Sequence, residues 1–182
     1  LVYYTIIVLA FVIALPMLGV RLSGLLVAGG VIGLAIGFAS QNIVGNLISG
    51  IFLMLERPIK IGNGVNIDGT TGIVEDIQIM STTLRSYDGL YIRLPNQKVL
   101  TANITNFVSN VARRVDYDIG IRYSDDADKA ITLIKDFLDA QSMVLKNPEP
   151  IVFVSELGDS AVIIALRFWA PVTEWFSVKT QL

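Results

Sequence analysis

Leu34 and Phe38 are two large apolar residues, four apart, in a stretch otherwise rich in small ones. Four apart on a helix means one face. Small residues flank that face on both sides: Gly30, Gly33 and Gly37 make one stripe, and Ala28, Val31 and Ala35 make another. Small residues let helices approach closely in lipid, where apolar burial supplies no drive. A single stripe would serve a dimer seam. Two stripes suit a helix with a like neighbour on each side, as in a ring joined by heterologous contacts. In such a ring Leu34 and Phe38 point at the axis and form two stacked apolar constrictions; outside one they face lipid. Other chemistry is limited. The sequence holds no cysteine and no histidine, which removes disulfides, thiol nucleophiles, imidazole bases and Cys/His metal sites. Asp125, Asp126 and Asp128 form an acidic run, but behind Ser124 they read as a helix start, where carboxylates are favoured. No nucleophile–base pair stands out. The chain is therefore expected to be no enzyme and to need no metal or cofactor.

The elements that carry these residues follow from the charge distribution. Of 182 residues, 14 are basic and 16 acidic, and Arg21 is the only charged residue among the first 55. The N-terminal third is membrane-grade; the remainder has an ordinary soluble charge content and is long enough to bury a modest core. This excludes a fully soluble globular protein, a disordered chain and a low-complexity chain. A net charge of −2 argues against a nucleic-acid partner.

Residues 1–20 are expected to form one transmembrane helix, with Tyr3 and Tyr4 at one interface and Arg21 at the other. A signal peptide fits less well, because the run is long and has neither an initiating Met nor a basic start. Residues 21–58 read as a second helix. Its uncharged run, residues 22–55, would measure about 50 Å if straight, against a hydrocarbon core of about 30 Å. Ser40-Gln41-Asn42 divides it: the part before is long enough to cross, and the part after suits the membrane surface. In that second part Asn42, Gly45, Asn46 and Ser49 share one face, and Val44, Leu47, Ile48, Ile51 and Leu55 the other. A bend is expected near Asn42 or Gly45. The polar face has no basic residue before Arg57, so it is expected to face protein. Arg57 and Lys60 suggest the cytoplasmic side, and Pro58 ends the helix.

Residues 59–110 show strand candidates at 65–67, 72–78, 79–86 and 90–94, with turn signals at Asp68-Gly69, Asp88-Gly89 and Pro95-Asn96. They suggest a small all-β (Sm-like) barrel without the basic, aromatic platform that single-stranded nucleic acid needs. Residues 111–182 follow a βαββα order, a small α+β domain, whose helix carries the apolar stripe Ala130, Ile131, Ile134, Phe137 and Leu138. The chain is expected to begin inside a longer protein and to stop before its C-terminal end.

Several stretches, in this order, resemble the small-conductance mechanosensitive channel (MscS-like) family: Gly33-Leu34-Ala35-Ile36-Gly37-Phe38-Ala39-Ser40-Gln41-Asn42, Gly45-Asn46-Leu47, Gly50, Glu56-Arg57-Pro58, Ser81-Thr82-Thr83-Leu84-Arg85, Asp88-Gly89, Leu94-Pro95-Asn96 and Asn103-Ile104-Thr105-Asn106-Phe107. The resemblance implies an α/β membrane protein with two transmembrane helices here, the second bent and pore-lining. It implies a homoheptamer in the cell membrane with its soluble domains in the cytoplasm. Leu34 and Phe38 stand where the family closes its pore with two leucine rings, so Phe38 is a bulkier departure. Ala28, Gly30, Gly33, Ala35 and Gly37 stand where adjacent pore helices interdigitate. The bends of the family fall at a glycine after Gln41 and at a later glycine; Asn42 and Gly50 occupy those places. The implied function is a weakly selective channel, opened by membrane tension, that releases ions and small solutes on osmotic downshock. A hydrophobic gate would close it. A secondary transporter, which usually has ionisable residues or broken helices at mid-membrane, and a membrane-anchored binding module are the alternatives.

Overall fold

A computed structural model describes residues 2–15, 19 and 22–181. Two apolar helices come first: α1, Val2–Ala14, and α2, Leu22–Glu56. The 13 residues of α1 rise about 20 Å, short of a bilayer core; Arg21, expected at an interface, lies outside the described residues. At 35 residues, α2 is about 52 Å long, and its helical structure continues through Asn42, Gly45 and Gly50. It stops where Arg57 takes a left-handed φ of 52° ahead of Pro58, a common helix stop.

Then follow β1 Gly64–Ile67, β2 Thr70–Ile77, β3 Ser81–Arg85, β4 Tyr91–Pro95, α3 Asn96–Thr101 and β5 Ile104–Asn106. The five strands form one sheet in the order β4-β3-β2-β1-β5. Asp68 and Gly69 turn β1 into β2 with positive φ at both positions, 45° and 85°, as a tight hairpin of matching twist requires. Val65, Ile67, Val74 and Leu84 are buried. Two elements differ from the reading of the sequence. Pro95-Asn96 opens the short helix α3 rather than a simple turn, and β5 adds a fifth strand by pairing Val65 with Asn106 and Ile67 with Ile104.

The remaining elements are β6 Ala112–Ile121, α4 Ala127–Ala140, β7 Ile151–Leu157, β8 Val162–Pro171 and α5 Trp175–Gln181. The strands form an antiparallel sheet, β6-β8-β7, in the expected βαββα order. Alternation along β6 and β8 places Val115 opposite Phe168 and Tyr117 opposite Leu166. Val115, Leu138, Ile164, Leu166, Phe168 and Val178 are among the buried core residues. Asp126 caps α4, its side chain accepting from the Lys129 backbone N–H. Beside it, hydrogen bonds from Arg122 hold the Asp125 carboxyl below its ordinary range. Of the apolar stripe, Leu138 is buried, Ala130, Ile131 and Ile134 pack partly buried against the core, and Phe137 is half exposed.

The chain divides into two compact units, one of Leu1–Arg57, Ile77–Thr82 and Arg93–Thr101, the other of Pro58–Asp76, Thr83–Ile92 and Ala102–Leu182. The first unit holds α2 and α3, which pack against each other.

Candidate functional site

From Ser23 to Ala39 every residue of α2 is exposed on every side. Leu34 is 65% exposed and Phe38 74%. A Cβ added at Gly24, Gly29, Gly30, Gly33 or Gly37 would meet nothing within 4 Å. Nothing among the described residues therefore requires those glycines. A helix that is apolar all round belongs in lipid or among other helices, and α2 is long and apolar enough to cross a membrane. Gly33, Leu34, Gly37, Phe38, Gln41 and Val44 line a shallow groove along it, so the two large side chains and one small-residue stripe lie together.

The second part of α2 is different. Gly45 and Asn46 are partly covered, and Ser49, Gly50 and Leu53 are buried. This covered face is the polar and small one, turned to protein as the missing basic residues suggested. Val44, Leu47, Ile48, Ile51 and Leu55, on the opposite face, are exposed. Asn46 joins α2 to α3: its Oδ1 accepts the Gln97 N–H at 3.0 Å, satisfying a donor that a helix start leaves open. Its Nδ2 donates to the Asn42 carbonyl at 2.8 Å, placing a side chain on the backbone ladder of α2. At Gly45 an added Cβ would lie 2.5 Å from Oε1 of Gln97, the movable end of a side chain. At Gly50 it would collide with the Ile79 carbonyl oxygen and lie 2.5 Å from Asn96 Nδ2. Gly50 is thus required by a close approach of two backbones, whatever its part in a bend. Ile79, Asn96 and Gln97 are site residues that the sequence alone did not single out, because they are distant in sequence from Gly50.

No group of three or more His, Cys, Asp or Glu residues is placed to hold a metal among the described residues.

Three models of consecutive parts of one family match the chain. Residues 1–41 match transmembrane helices 2/3 of the mechanosensitive ion channel, residues 42–109 its beta-domain, and residues 115–182 the C-terminal domain of MscS. The chain belongs to the MscS-like family. An uncharacterized MscS family protein of Archaeoglobus fulgidus is 60% identical over 181 residues, 100% of this chain and 64% of that protein. The crystal structure of Helicobacter pylori MscS in its closed state is 29% identical, with a TM-score of 0.85, covering 99% of this chain and 72% of that one. The cryo-EM structure of Arabidopsis thaliana MSL1, at 21% identity and a TM-score of 0.80, covers 98% and 67% and shares the fold. The chain spans less than two thirds of the length of two curated relatives that it matches, 64% and 61%. Its fold is that of MscS, and it is a membrane protein of that family.

Proposed function

We propose that the protein of which this chain is a part is an ion channel opened by membrane tension, weakly selective, releasing ions and small solutes on osmotic downshock. One observation carries the reading: between Ser23 and Ala39 an apolar helix exposes every face, with glycines that no contact among the described residues demands. Copies of the same helix would satisfy that demand, with Gly30, Gly33 and Gly37 of one helix against Ala28 and Ala35 of the next. The assembly would be a homoheptamer, the state that the family resemblance implies. Leu34 and Phe38 would then face the axis, and a ring that narrow and apolar sheds water and blocks ions without a plug.

Tension favours the state of larger in-plane area, so it shifts the population toward a wider ring. The exposed apolar residues of α2 after Val44 would rest in the lipid interface, where tension acts. Gln41, Asn42, Gly45 and Gly50 mark the part of α2 that bends. The hydrogen bond from Asn46 Nδ2 to the Asn42 carbonyl supports a bend at 42–45, because a side chain inserted on the ladder is a known cause of kinking. The soluble domains would lie in the cytoplasm. The reading needs lipid and permeating solutes but no catalysis, cofactor or nucleic acid. Survival of osmotic downshock tests it. The full-length protein should rescue a host stripped of its own tension-gated channels, and no rescue by well-expressed protein would count against it.

A further inference from the structure

We propose that Asn96 is a positioning residue for the pore helix: its buried side chain holds the 78–80 turn rigid as the seat on which α2 rests at Gly50. The proposal rests on the channel reading above. Asn96 is 0% exposed, and every hydrogen-bonding group it has near the turn is in use. Its Nδ2 donates to the Gln78 carbonyl at 2.7 Å and to the Ile79 carbonyl at 2.9 Å. Its backbone N–H donates to the Met80 carbonyl at 3.2 Å. Its Oδ1 accepts from Thr82 Oγ1 at 2.9 Å. The Gln78 N–H closes the turn on the Ser81 carbonyl at 2.9 Å. Three consecutive carbonyls are thus gripped by one residue. An aspartate could accept from Thr82 but would set its carboxylate against two carbonyl oxygens, so the site calls for an amide.

The gripped Ile79 carbonyl oxygen is the atom a Cβ at Gly50 would strike. The close approaches at Gly45 and Gly50 therefore differ in stiffness. At Gly45 the opposing atoms are the free end of Gln97, which can swing away. At Gly50 they are a backbone carbonyl and the amide that pins it. Close-packed contacts hold one arrangement or another rather than stretching. Movement of α2 at Gly50 must either lift it off the Ile79 carbonyl or carry the whole turn along. A residue that merely closes a turn has no need to aim at a neighbouring helix; Asn96 Nδ2 lies on the helix side, where it limits what can stand at position 50.

A double-mutant cycle on the full-length protein, patched in liposomes under graded suction, tests this. The variants are Gly50→Ala, Asn96→Ala and the two combined. Each single change should shift the half-opening tension. The combination should depart from the sum by at least about fivefold in the closed-to-open equilibrium, because loosening the turn makes room for the added methyl. A purely structural Asn96 would lower the yield of assembled channel and leave the half-opening tension of what assembles unchanged. That result, or strictly additive shifts, overturns the proposal. If Asn96→Ala does not assemble, Thr82→Val, which removes one bond of the grip at nearly constant shape, takes its place in the same cycle under the same criteria. Failure of the channel reading would look different: no tension-activated current in the unmodified protein.

Discussion

Leu34 and Phe38 are 65% and 74% exposed in the single chain, so most of each side chain is free to meet its copies around an axis. Burying a leucine or phenylalanine fully is worth about 1.5–3 kcal/mol. A constriction that covers roughly half of Phe38 therefore favours the closed state by ~1 kcal/mol per subunit. Across the seven subunits that the family resemblance implies, the ring contributes ~7 kcal/mol, about five powers of ten in the closed-to-open equilibrium at ~1.4 kcal/mol per tenfold. Phe38→Ser removes nearly all of this and adds a hydroxyl that holds water in the ring. The assay is the half-opening tension of the full-length protein in liposome patches, comparing Leu34→Ser, Phe38→Ser and Phe38→Leu. Both serine variants should open at much lower tension and leak at rest. Phe38→Leu keeps the lining apolar and reduces bulk; it should gate nearly normally and pass more current. Lipid-facing side chains predict the reverse ranking, because a serine there costs little and a change of size matters as much. Wild-type half-opening tension in both serine variants would remove Leu34 and Phe38 from the gate.

Other expectations are simpler to check. Gly37→Leu should force neighbouring copies of α2 apart, lowering the mass of the detergent-solubilised oligomer or impairing opening; unchanged mass with unchanged gating would refute the two-stripe packing. Asn42→Ala and Gly45→Ala favour a straight helix, so open-state lifetimes should change. Gly45→Ala should still assemble, since its methyl meets only the movable end of Gln97; wild-type lifetimes in both variants would place the bend outside residues 42–45. Asp126→Ala removes the cap of α4 and should cost about 1 kcal/mol of stability, read as a lower Tm with the half-opening tension unchanged.

Regular elements were legible in the sequence to the extent that they carry a period. The alternation of Val115, Tyr117, Ile119 and Ile121 announced β6, and the Ser124-Asp125-Asp126 start announced α4. Asp68-Gly69 announced a hairpin. β5 has three residues and α3 has six, too few to show any period, and Pro95-Asn96 carries a turn signal that hides the helix it opens. The candidate site divides in the same way. The small-residue stripes and the Leu34–Phe38 pair lie within one helix, so spacing alone exposes them. The seat under Gly50 joins residues 50, 79 and 96 through space, and an asparagine after a proline looks like any turn residue until its partners are in place. Spacing and resemblance point to Gly50 only as a bend position; its second duty, admitting the Ile79 carbonyl, is visible only in three dimensions.

Current through a patch holding the unmodified full-length protein, recorded as suction is raised, decides whether tension opens a pore. Discrete steps of current are expected, absent at rest, whose probability rises with tension and which discriminate weakly among ions. A patch with oligomeric protein in the membrane that stays silent up to the tension at which the bilayer ruptures would contradict tension gating.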